Sequence, residues 1–316
     1  MYKELKDNQK DVLKALLLAP ILVKNGYKYK ASLKEHENDL IYKNDNWFCY
    51  TNNSSEQSDN GKKIYIVSKQ KYCGTKDADM SDIAVAFYES LYEISMLDND
   101  KNDFRNPAFA GDTMNSLAPF YNNKKEVFRK EMLDVYKKRK DQEENIKNKI
   151  KDQEKNIKNK INEFSGKYHC LANFWVLPKG VGREIEDFGK GRDSTYCDFM
   201  DNFLIGIMRK TNIQSDKNNR YNQQNTFTEK YPEYCNKFKK NNSETTPFDW
   251  DIFASRHFIN GIYLLKQNGF FYVASYSNLT DPIQTINSMD TLIEMRADAI
   301  MRSKLAYRLY NKLTGQ

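Results

Sequence analysis

Apolar positions recur along the chain at two different spacings. Near the start, Leu5, Val12, Leu13, Leu16 and Leu17 return at helical spacing, and the run stops at Pro20. That predicts an amphipathic helix within residues 1–23. Between residues 27 and 73 the period shortens to two. Tyr27-Lys-Tyr-Lys alternates, as do parts of Leu40-Ile-Tyr, Trp47-Phe-Cys-Tyr and Lys63-Ile-Tyr-Ile-Val, with the polar loop Asn52 to Gly61 between them. These are strand patterns. Helical spacing returns with Ile83, Phe87, Leu91 and Ile94, and again with Phe199, Phe203, Leu204, Ile207 and Met208. Asp249 is placed to cap a helix that carries Trp250 in its first turn. Thr291-Leu-Ile-Glu294 has the capping-box pattern, which predicts the start of a closing helix there. Arg296, Arg302, Lys304 and Arg308 are expected to line its other side, facing solvent.

The middle of the chain holds a tandem duplication. Residues Lys140 to Ile150 are repeated as Lys151 to Ile161, with Glu144 answered by Lys155 as the one difference. An 11-residue period is about 3.67 residues per turn, so Ile146, Ile150, Ile157 and Ile161 keep one narrow stripe on a nearly straight helix. Two apolar residues per repeat bury little, and residues 124–164 are expected to form one long, charged, protruding helix. The pattern change near residue 78 separates an N-terminal helix plus β-rich part (1–78) from a mainly helical domain (79–316).

Composition changes the picture in two places. Hydrophobic residues make up 39%, below the usual globular share, but 21 Tyr and 18 Phe supply core material. The net charge is +7, and residues 124–160 hold 14 Lys or Arg against 8 Asp or Glu. Most of the excess is therefore local, and a chain-wide basic footprint for nucleic acid is absent. The five cysteines include no Cys-x-x-Cys pair, which argues against a structural zinc site and suits reduced thiols in a cytoplasm. Lys3, Glu4, Lys6 and Asp7 open the chain, and the run Ala15 to Val23 is too short to span a bilayer. A cytoplasmic protein without membrane contact is expected.

Candidate chemistry gathers at Tyr168-His169-Cys170-Leu171-Ala172-Asn173-Phe174-Trp175-Val176-Leu177-Pro178, followed by Gly180, Gly182 and Arg183. Asn173 to Leu177 reads as a short buried strand, with His169 at its entrance and Arg183 beyond its exit. Polar groups at element ends are where sites form; they also tie down loop backbone. In Gly111-Asp112-Thr113-Met114-Asn115-Ser116, Asp112 or Thr113 is placed to cap a following helix, whereas Asn115 and Ser116 have no such task. His257 follows an aromatic face, where a core histidine is the commoner outcome. No Walker A loop, Gly-x-Gly-x-x-Gly or Gly-x-Ser-x-Gly is present, so nucleotide-driven work, Rossmann cofactors and α/β-hydrolase chemistry have no support.

The Gly111–Ser116 motif, His169-Cys-Leu-Ala-Asn-Phe174 with Pro178, the Trp250-Asp251 stretch and the Thr291 segment together resemble a family of uncharacterised proteins from low-GC Gram-positive bacteria. The likeness covers the last two-thirds of the chain and implies architecture rather than chemistry. Within it, His169-x-x-Ala172-Asn173-Phe174-x-x-Leu177 is similar to the His-x-x-Gly-Asn-Leu-x-Leu-Leu stretch of HNH-type restriction endonucleases. Ala172 stands in the place of that glycine, and His36 is the only histidine upstream. The resemblance implies a histidine that activates water and one divalent metal, Mg or Mn, at a scissile phosphate.

The sequence thus predicts a predominantly helical α+β protein with a small N-terminal β-rich part and one long protruding helix. Two functions stay open. One is a defence-type or mobile-element protein acting on nucleic acid as a metal-dependent nuclease. In it His169 is base or ligand, Asn173 ligand or orienter, and Arg183 a phosphate contact, with Asp112, Asn115 and His257 as second-tier residues. The other is a non-enzymatic binding protein whose 124–164 helix docks a protein partner or a second copy.

Overall fold

A computed structural model describes residues 4–23, 40–43, 46–53, 62–68, 78–96, 108–115, 147–179, 200–210, 226–240, 248–268, 270–276 and 282–316. The chain forms two compact units, neither of them one run of sequence. The first comprises Met1–Thr113, Lys167–Leu177 and Ile293–Gln316; the second comprises Met114–Gly166 and Pro178–Leu292.

In the first unit, helix α1 (Asp7–Leu18) buries Leu13, Leu16 and Leu17 and ends one residue before the Ala19-Pro20 bend. Pro20 cannot supply the N–H that a further helical turn needs. A four-stranded sheet follows in the order β1-β4-β3-β2, from β1 (Ile21–Val23), β2 (Leu40–Lys43), β3 (Trp47–Asn53) and β4 (Lys62–Ser68). β1 runs parallel to β4, and the other pairs are antiparallel. Ile21, Tyr50 and Ile66 from this sheet are fully buried or nearly so. Helix α2 (Asp82–Tyr92) is apolar almost all round and buried on every side but one, as such a pattern requires. β5 (Phe109–Thr113) pairs with β6 (Phe174–Pro178) in a two-stranded sheet.

The second unit holds α3 (Lys147–Lys167) up to Gly166, then α4 (Met200–Lys210), α5 (Thr226–Lys230), α6 (Pro232–Asn236) and α7 (Trp250–Arg256). The Asp249 carboxylate accepts the Ile252 N–H at 3.0 Å, so the expected cap of α7 is formed. β7 (Leu264–Gln267) and β8 (Phe270–Val273) make an antiparallel hairpin. Helix α8 (Pro282–Met301) runs through the unit boundary, and α9 (Ala306–Thr314) closes the first unit. On α9, the Leu313 carbonyl accepts the Trp47 indole N–H at 3.1 Å, and Arg308 pairs with Glu93 at 2.8 Å.

This architecture corrects the expected fold class. Nine helices and three small sheets occur among the described residues, and β structure is spread along the chain rather than confined to its start. β6 escapes an alternation rule because all five of its residues are buried. The long protruding helix is also overturned. The described helix of the duplication, α3, has 21 residues, and its Ile157, Ile161 and Phe164 are at most 1% exposed. Phe164 prolongs the isoleucine stripe at i+3, which gives the helix a face wide enough to pack. Residues 121–146 lie outside the described set. Thr291 opens no helix: it sits mid-way along α8, its hydroxyl donating to the Asn287 carbonyl at 3.0 Å. Among the described residues, no helix is long and apolar enough to cross a membrane.

Candidate functional site

The segment His169–Pro178 leaves α3 through Tyr168, makes a single 3-10 turn (Leu171–Asn173) and enters β6. Asn173 is fully buried, and its Nδ2 donates to the Tyr168 carbonyl at 2.9 Å. The amide therefore closes the turn that precedes it. The His169 carbonyl accepts the Ile21 N–H at 2.8 Å, which ties β1 to this segment. Its ring lies 4.0 Å from that of Tyr168 and 6.3 Å from that of Phe174. The residue as a whole is half-buried. Its imidazole is surrounded closely enough that burial lowers its pKa from 6.5 to about 4. At neutral pH the ring is uncharged.

Arg296 on α8 is 0% exposed. Its Nη1 donates to the Ala172 carbonyl at 2.6 Å and the Phe174 carbonyl at 2.8 Å, and the guanidinium also bonds the Tyr92 hydroxyl. It thus clamps the turn on both sides of Asn173. Tyr92 has its pKa pushed up to about 12 by burial, against the pull of Arg296 and a backbone bond from Val176. Tyr88 is also raised well above the ordinary phenol value, by burial first and then by Asp79 and Asp112, with Arg296 opposing. Both phenols stay protonated.

Asp112 lies on β5, not at a helix start, and its Oδ1 accepts the Thr113 N–H at 2.7 Å. The preceding glycine is there because of close approach. A Cβ on Gly111 would lie 2.4 Å from Tyr88 Cε2 and 2.6 Å from the Asp79 carbonyl oxygen.

Asn115 and His257 belong to the second unit. His257 is 0% exposed, ends α7, and meets the Tyr234 hydroxyl through Nε2 at 3.2 Å. Phe253 and Phe238 pack on its ring at 4.4 Å and 5.1 Å between centroids. It is a core histidine. Asn115 is also 0% exposed: its Nδ2 donates to the Tyr263 hydroxyl at 2.6 Å, and its Oδ1 accepts from the Tyr276 hydroxyl. The Tyr276 oxygen accepts the Met200 N–H at 2.9 Å in turn, and the buried Asp201 carboxylate takes the Tyr276 N–H at 3.0 Å. Burial, then Tyr263 and Asp201, raises Tyr276 well above the ordinary phenol value, so it remains the donor.

Tyr276 forms one wall of an open groove of about 520 Å³ in the same unit, across from the first half of α8. Ala274, Ile283 and Leu292 give it an apolar lining, and Gln284, Asn287, Ser288 and Thr291 add amides and hydroxyls.

His169, Asn173 and Asp112 therefore belong to one unit, Asn115 and His257 to the other, and Arg183 lies outside the described residues. Among the described residues, no group of three or more His, Cys, Asp or Glu is placed to hold a metal. Asn173, expected as ligand or orienter, donates its Nδ2 to a backbone carbonyl. The sequence reading missed Arg296, Tyr276 and Asp201. Arg296 looked like one of several solvated basic residues, and the other two acquire their roles only through partners more than 70 positions away. No protein-family model, curated protein or solved structure matches the chain.

Proposed function

We propose that this protein acts by binding a protein partner, and that the His169–Asn173 stretch carries no chemistry. The observation behind this is the internal use of the stretch: the Ala172 and Phe174 carbonyls go to Arg296, and the Asn173 amide goes to Tyr168. A catalytic base has to be presented to substrate, with a pKa near the working pH. A histidine held at about pKa 4 by burial suits that task poorly. Asn115 and His257 are likewise engaged inside the fold, with tyrosine hydroxyls.

The competing reading is the metal-dependent nuclease. It is tested by incubating the full chain, His169→Ala and His169→Gln with single- and double-stranded DNA and RNA, in Mg²⁺, Mn²⁺ or EDTA. The expected result is no cutting that separates the natural chain from either variant. Metal-dependent cutting by the natural chain that both folded variants lose would overturn the binding reading and restore His169 as the catalytic residue.

A further inference from the structure

We draw no further inference here: the strongest candidate, the open groove between Tyr276 and the first half of α8, carries none because nothing in the structure shows what covers it.

Discussion

Arg296 buries a whole guanidinium in order to satisfy two carbonyls beside a 3-10 turn. Replacing it with Met keeps the bulk and strands those acceptors. The expected loss is about 2–4 kcal/mol, since charge-assisted bonds are worth roughly 1.5–3 kcal/mol each and do not add fully. Arg296→Lys should fall between, because one ammonium lacks the planar fork that reaches two carbonyls at once. Urea unfolding of the three proteins checks the order, and a Met variant as stable as the natural chain would refute the clamp. His169 gives a pH signature of known sign. Its folded pKa of about 4 lies below the ordinary 6.5, so between those values the unfolded chain binds more protons and stability rises with pH. The contribution of the neutral ring is intact above about pH 6.5 and is lost progressively down to about pH 4. His169→Gln should flatten that part of the stability profile; an unchanged slope would mean that the ring titrates normally. At this scale the sequence was legible where a side chain works locally, as Asp249 does at its cap. It was opaque for Arg296, whose partners are 122 and 124 positions away. Hydrophobic periodicity assigns a charged residue to water unless something local contradicts it, and backbone carbonyls leave no trace in composition.

Element α3 shows why the duplication misled. Counting two isoleucines per repeat gave a stripe too thin to bury, but the face continues through Phe164, and Ile157, Ile161 and Phe164 are all buried. Ile161→Ala is expected to cost about 2–4 kcal/mol, the range for truncating a buried aliphatic side chain. Lys158→Ala, on the exposed side, should stay within about 0.5 kcal/mol. Equal, small effects from both would return α3 to a solvated helix. Strand β5 offers a second comparison. Gly111→Ala drives a methyl into Tyr88 and the Asp79 carbonyl, and overpacking of this kind costs about 1–3 kcal/mol. The glycine was visible in the sequence as part of a motif, but a capping turn explained it equally well. Only pairing with β6 shows that close approach is the reason. Strands β2 to β4 announced themselves by alternation, whereas β1 (Ile21–Val23) fell within the stretch read as the N-terminal helix; β6, buried on both faces, was read as a strand from its short aromatic and branched apolar run rather than from alternation.

At the scale of the molecule, the chain crosses from one unit to the other at 113/114, 166/167, 177/178 and 292/293. The last crossing falls inside α8, whose first half buries Thr285, Ile286 and Met289 and whose second half buries Ile293, Arg296, Ala297 and Ile300. A chain ended at Leu292 would keep every strand of the first unit and lose its closing helix, its buried arginine and the carbonyl of Leu313 that holds Trp47. The first unit is then left with an open core and an unclamped 3-10 turn, and it should not fold. The three tryptophans report this separately, because Trp47 and Trp175 belong to the first unit and Trp250 to the second. In single-tryptophan versions of the truncated chain, emission from Trp47 and from Trp175 should move to the red, as expected of indoles that have lost burial of 95% or more. Should both keep their blue emission, the first unit would be complete without residues 293–316. The clamp would then be ornament rather than structure, and the urea series on Arg296 would have to agree.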